Sequence, residues 1–217
     1  MLEPPLDFLE ARVLAVLVEK AATVPDSYPL SLNAVVAGCN QKTARDPVIS
    51  AGEAEVQRAL DGLRARSLAI ESSGSRVARH EHNAGRALGL PAQGVALLAA
   101  LVLRGPQTAA ELRASTERLH RFADQSALDG FLEDLATRPA ERGGPFVAKL
   151  RRAPGAREAR WAQLLTGPAL EAPSDEPAAE RGDSHPSALG ALEARVAALE
   201  SRVAQLSEAL GGDRPAR

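Results

Sequence analysis

Apolar side chains at Leu9, Val13, Val16 and Leu17 recur at i, i+4, i+7 and i+8, the stripe of a surface helix. Pro5 suits the first turn of that helix, where a missing amide costs nothing. Thr23-Val24-Pro25-Asp26-Ser27-Tyr28-Pro29 ends it, because two prolines and small polar residues cannot carry a helix on. Ser31 can cap a second, short helix through about Cys39. A polar run follows, Asn40-Gln41-Lys42-Thr43-Ala44-Arg45-Asp46-Pro47, and then Ser50-Ala51-Gly52-Glu53 takes the form of a capping box. Val56, Leu60 and Leu63 stripe the third helix behind it. Ser67 to Ser72, a turn at Gly74 and Arg76 to His82 read as a hairpin.

The same order then repeats. Pro91 opens a helix over Ala92 to Leu103, stopped by Gly105-Pro106. Thr108-Ala109-Ala110-Glu111 is a capping box for a helix to about Leu119, and Ser126-Ala127-Leu128-Asp129 is a weaker one. Leu128, Phe131, Leu132 and Leu135 stripe the third helix. Phe146 to Leu150, a Pro154-Gly155 turn and Glu158 to Leu165 close with a second hairpin. Two rounds of helix-helix-helix-hairpin are the winged-helix plan. The expected fold class is therefore mainly α with small β-hairpins (α+β), with tandem winged-helix domains over residues 1–86 and 87–165. Val95 to Leu103 is apolar almost all round, so that helix should be buried, in part between the two domains.

Residues 166–187 hold Pro168, Pro173, Pro177 and Pro186 without apolar periodicity and read as a flexible linker. Beyond it, Leu189, Leu192, Val196, Leu199, Val203, Leu206 and Leu210 alternate at spacings of three and four, a heptad seam. Residues 188–211 are thus a coiled-coil helix, and 212–217 a disordered tail. Valine at a with leucine at d favours a parallel homodimer, and Arg195 at g would face Glu200 at e of the partner. The competing reading is an amphipathic helix folded back on its own chain, since three heptads span only about 33 Å.

Composition narrows the function. The 217 residues carry 26 Lys+Arg against 28 Asp+Glu, so an anionic partner must be met by a local basic patch. The cations gather in the middle: residues 87–165 hold 11 basic and 8 acidic side chains, whereas residues 166–217 hold 5 and 9. The longest apolar run has nine residues, too short for a bilayer. The acidic, proline-broken opening Met1-Leu2-Glu3-Pro4-Pro5 is no secretory signal. One cysteine excludes a disulfide framework. These features imply a cytoplasmic protein with no membrane contact and no cofactor. Six aromatics are few for a single-strand binder that stacks bases on rings.

Several stretches together resemble the YceH-like family of bacterial proteins: Leu9-Glu10-Ala11-Arg12-Val13, Glu19-Lys20, Tyr28-Pro29-Leu30-Ser31, Cys39-Asn40-Gln41-Lys42-Thr43, Leu103-Arg104-Gly105, Gln107-Thr108 and Glu111-Leu112-Arg113. The resemblance runs from about residue 6 to 165 and includes the coiled-coil-like tail. It implies a tandem winged-helix fold and no established activity. The Ser72-Ser73-Gly74-Ser75-Arg76 stretch is shorter than that family's first hairpin turn.

Winged helices commonly place the third helix in the major groove and the wing on the backbone. The first copy suits this poorly, because its third helix balances Glu53, Glu55 and Asp61 against Arg58, Arg64 and Arg66. The second hairpin is better, with Lys149, Arg151, Arg152, Arg157 and Arg160 against Glu158 alone. Arg104, Arg113, Arg118, His120 and Arg121 could extend that surface. Its third helix is acidic at Asp129, Glu133 and Asp134, so contact would be with phosphates rather than base edges. Lys42 and Arg45 could also reach phosphates, although loop anchoring is the plainer role for that run. Cys39 reads as a core residue, and His80 with His82 as a metal pair lacking a third ligand. Without a catalytic signature the chain reads as a non-enzyme. Two functions remain: a DNA-associated, transcription-regulatory protein contacting double-stranded DNA, or an adaptor that binds a protein partner and no DNA.

Overall fold

The computed structural model describes residues 3–72, 77–152 and 154–168. The Gly74 turn, most of the expected linker, the coiled-coil seam from Leu189 to Leu210 and the tail lie outside the described residues. What is described is an α+β protein, mainly helical with small antiparallel sheets.

Helix α1 spans Phe8–Thr23. Its N-cap is Asp7: the Asp7 carboxylate accepts the Glu10 N–H at 2.7 Å, and Glu10 accepts the Asp7 N–H at 2.9 Å. Pro5, expected in the first turn, therefore precedes the helix. Nine consecutive residues from Glu10 to Val18 are buried, more than a one-sided stripe would cover. Strand β1 (Leu30–Ser31) leads into α2 (Leu32–Cys39), capped by Ser31 as expected. Helix α3 spans Glu53–Ala65. Its N-cap is Gly52, whose N–H donates to Glu55 at 2.7 Å, so the box sits two residues later than Ser50 suggested. Strands β2 (Ala69–Ser72) and β3 (Arg79–His82) pair antiparallel, and β1 adds to β3 to give the order β1-β3-β2.

A short α4 (Ala84–Leu88) spans the boundary drawn at residue 86. Helix α5 (Ala92–Arg104) ends at Gly105, whose φ of +73° is a backbone state that disfavours side chains. Helix α6 (Ala109–Thr116) starts with the expected Thr108–Glu111 box, both bonds present at 2.9 and 3.2 Å. Helix α7 (Gln125–Ala136) is capped by Asp124, which accepts the Ala127 N–H at 2.8 Å, rather than by Ser126. Strands β4 (Val147–Lys149) and β5 (Trp161–Gln163) form the last hairpin.

The two rounds share one pairing, although the first sheet has three strands and the second two. In the first, the residues ahead of α2 pair with the last strand; in the second, Gln107, ahead of α6, makes an antiparallel bridge with Trp161 of β5. One continuous cluster of buried side chains runs through both rounds. Its centre is the packing of α1 on α5, where Ala11, Ala15 and Ala99 leave only about 10 Å³ of free space. As expected, α5 is buried from Gly94 to Leu103. Backbone bonds fasten the edges of this junction: Leu6 N–H to Leu165 O at 2.8 Å and Asp46 N–H to Leu103 O at 2.7 Å.

Helix α2 crosses α1 closely at Gly38, where an added Cβ would strike Cγ1 of fully buried Val16. Val16 is β-branched and cannot rotate away cheaply. Gly38→Val should therefore cost on the order of 3 kcal/mol. The check is a lowered denaturant midpoint with an unchanged slope.

Candidate functional site

Three regions hold the candidate residues. In the second hairpin, all five expected cations are exposed. Lys149 on β4 lies 3.6 Å from Glu133 of α7 and stacks its ammonium over the Trp161 ring at 5.1 Å. Arg160 donates to the Pro106 carbonyl at 2.7 Å and to Glu111 at 3.1 Å. Arg151, Arg152 and Arg157 lie in the connection between β4 and β5. Between α7 and this hairpin runs a groove of about 300 Å³ lined by Asp129, Glu133, Glu158, Lys149 and Trp161. Three carboxylates to one ammonium make it acidic.

The second region is the run between α2 and α3. Lys42 is exposed there, but Arg45 corrects the expectation of a phosphate contact. Its guanidinium is fully buried and forks onto Glu19, Nη2 to Oε2 at 2.6 Å and Nη1 to Oε1 at 3.1 Å. It also donates to the carbonyls of Gly38 and Ala44. The loop-anchoring role of the amides holds: Asn40 donates to Ala51 O at 2.9 Å and accepts Ala51 N–H at 2.7 Å. Periodicity gave no warning of Arg12, which is fully buried on α1. It donates to Cys39 O and Pro47 O and lies 5.3 Å from the Phe8 ring centre, while its Nε has no partner. Burial, and then the neighbouring Arg45 charge, hold Arg12 below the usual guanidinium value.

The third region is a cleft of about 330 Å³ where the C-terminal ends of α1, α5 and α6 meet the Gln41–Ala44 turn. Its wall includes Glu19, Lys20, Thr23, Gln41, Thr43, Arg104, Ser115 and Arg118. A neighbouring groove shares Arg104 and Ser115 and adds Arg160 and Glu111. The expected extension of the basic surface is thus divided. Arg104 joins Arg160 in one groove, Arg118 lines the cleft, and Arg121 pairs with Glu117 at 3.6 Å. His120 instead packs edge-on against Phe122.

Cys39 is fully buried, and burial pushes its thiol up to about 11 despite the two nearby guanidiniums, so little thiolate exists at neutral pH. Among the described residues no group of three or more His, Cys, Asp or Glu could hold a metal ion. His80 is buried and His82 half-buried, each with an unpartnered Nδ1. Burial lowers both imidazoles, although Glu71 and Asp61 oppose it at His80 and Glu81 opposes it at His82.

The described residues contain no helix long and apolar enough to cross a membrane. The architecture is that of an α+β protein with an internally repeated plan. Residues 6–156 match the family described as protein of unknown function, DUF480, and the chain belongs to that family. It is 54% identical over 214 residues to a UPF0502 protein of Delftia acidovorans, covering 97% of this chain and 95% of that one. A UPF0502 protein of Methylibium petroleiphilum is 66% identical over 163 residues, covering 75% and 68%. An uncharacterised bacterial family is what the sequence resemblance implied.

Two tests follow from the buried charges. Arg45→Ala strands the half-buried Glu19 carboxylate and should cost about 3–5 kcal/mol, read by chemical denaturation. For the histidines, the unfolded chain binds protons from about its ordinary value of 6.5 while the folded chain resists until lower pH. Stability should therefore be full above that value and fall as pH drops through it. Burial raises Glu19, but its bonds and charge contact with Arg45, and Lys20 nearby, outweigh that and hold it below 4.5. A further loss should thus begin as pH falls through 4.5. Replacing His80 and His82 with Gln should remove the first step of a melting series and leave the second.

Proposed function

We propose that the chain is a tandem winged-helix adaptor that engages a partner protein rather than the DNA major groove. The observation that carries this reading is the acidic groove between α7 and the last hairpin, lined by Asp129, Glu133 and Glu158. Phosphates entering there would meet carboxylates, and the one ammonium within it, Lys149, already faces Glu133. The first copy gives no better surface. Arg64 of α3 is 2.8 Å from Glu71 and 3.4 Å from Asp61, and Glu53, Glu55 and Asp61 are exposed. An acidic groove suits a cationic segment of a partner, whose charges would meet Asp129, Glu133 and Glu158.

A second reading has its own support. Exposed ion pairs contribute little and exchange readily, so a duplex backbone could draw Lys149 and Arg160 from their carboxylates. With Arg151, Arg152 and Arg157 they would form a regulatory, wing-led contact to double-stranded DNA. The tail seam from Leu189 to Leu210 adds a homodimer to either reading, through valines at a and leucines at d.

Fluorescence anisotropy with a labelled duplex separates the readings. The adaptor predicts no saturable binding at low salt, and binding that appears when Asp129 and Glu133 become Asn and Gln. Strong wild-type binding whose salt slope falls by about 2 in an Arg151→Ala, Arg152→Ala variant would replace the adaptor with the DNA reading. For the tail, sedimentation of the full chain should show dimers and a Leu192→Asp, Leu199→Asp variant should show monomers. Dimers in that variant would sink the seam.

A further inference from the structure

We infer that the cleft between α1, α5 and α6 is a binding site for a small multivalent anion, in chemical class a phosphate ester or polyphosphate. The wall brings three cations together, Lys20, Arg104 and Arg118, beside the polar side chains of Gln41, Thr43 and Ser115. Among the described residues only Lys20 of the three is engaged, 3.4 Å from Glu19 and donating to Gln41 Oε1 at 3.1 Å. Its single carboxylate, Glu19, is already neutralised by the two-pronged contact with buried Arg45. Asp46, beside Gly105, lies outside the wall. Neither Arg104 nor Arg118 has a carboxylate within ion-pair distance among the described residues, so the cations of the cleft outnumber its carboxylates.

The plain alternative is that these cations compensate helix C-termini, where the backbone is electronegative. The ends of α1 and α5 already have other partners, since Val24 N–H bonds to Lys20 O and Asp46 N–H to Leu103 O. Each terminus is also equivalent to only about half a charge. That leaves an excess of positive charge, in a recess whose 330 Å³ lies at the small end of ligand pockets. A phosphate group matches it: oxygens to accept from two forks and an ammonium, and a charge that relieves their mutual repulsion. A duplex is too wide to enter such a recess and could touch only its rim. The stretches Glu19-Lys20, Gln41-Lys42-Thr43 and Leu103-Arg104-Gly105, separate in sequence, are brought together here. This site does not depend on the partner-protein reading, which concerns the groove lined by Asp129, Glu133 and Glu158.

The experiment is calorimetric titration of the full chain with inorganic pyrophosphate, with ionic strength held constant by chloride. Saturable binding is expected, weakened about a hundredfold by the Arg104→Ala, Arg118→Ala pair and little changed by Arg113→Ala or Arg121→Ala. Ser115→Asp, which sets a carboxylate into the cleft, should have the same effect as the pair, and serves if the pair folds poorly. No saturable heat, or equal weakening by the control arginines, overturns the proposal. So does a labelled duplex that competes with pyrophosphate and is lost in the same pair, because the cleft rim would then be a backbone contact.

Discussion

The loop between α2 and α3 rests on two guanidinium groups taken out of water. Residues 40–52 form no helix or strand, and a connection of that length must find partners for its backbone amides and carbonyls. Arg45 turns inward and binds Gly38 O, Ala44 O and both oxygens of Glu19. Arg12 comes from beneath and binds Cys39 O and Pro47 O. Burying an ion is costly unless most of its donors are met, and these two are met by carbonyls from the end of α2 and from the loop, with Glu19 beside Arg45. The loop and the arginines therefore define each other: neither conformation is tolerable without the other. Because Asp46 N–H reaches Leu103 O, the same knot also fixes the C-terminal end of α5.

That knot explains why the two rounds of helices pack as they do. Helix α1 is flanked by α2 and α3 on one side and α5 on another, so it loses the solvent face an ordinary amphipathic helix keeps. Ala11 and Ala15 let the backbones of α1 and α5 approach, and Arg12 on the remaining face is shielded by the loop rather than by water. A helix so enclosed can hold a charged residue only where polar backbone is brought to it. The irregular loop is what brings it.

The repeated order of helices and hairpins was legible from periodicity and turn chemistry, because stripes such as Val56, Leu60 and Leu63 and stops such as Gly105-Pro106 are local. Caps were read less well. Ser50 and Ser126 had the right side chains, but Gly52 and Asp124 took the position, since the entry direction of the chain decides which residue stands half outside a helix. The two-residue β1 was invisible because its partner, β3, lies fifty residues away. At the site, the exposed arginines of the hairpin were legible as a charge cluster. Arg45 was not legible as a buried residue, since nothing in the sequence says that Glu19, 26 positions earlier, waits for it. The cleft is illegible for the same reason: Lys20 of α1, Arg104 of α5 and Arg118 just past α6 are far apart in sequence and form no motif.

A formal charge of −2 therefore hides two unlike surfaces. Coulomb interactions at a surface are screened within about 10 Å, so local sums matter and the total does not. At the groove of α7 and the last hairpin, Asp129, Glu133 and Glu158 outnumber Lys149. At the cleft, Lys20, Arg104 and Arg118 outnumber Glu19, and Arg45 cancels even that. Both surfaces border α6, whose first turn holds Glu111 against Arg160 and whose end carries Ser115 into the cleft. A helix of eight residues thus lends Ala109 to the acidic recess and Ser115 to the basic one. The ion pair of Glu111 with Arg160 is the one contact among the described residues that ties α6 to the hairpin through charge.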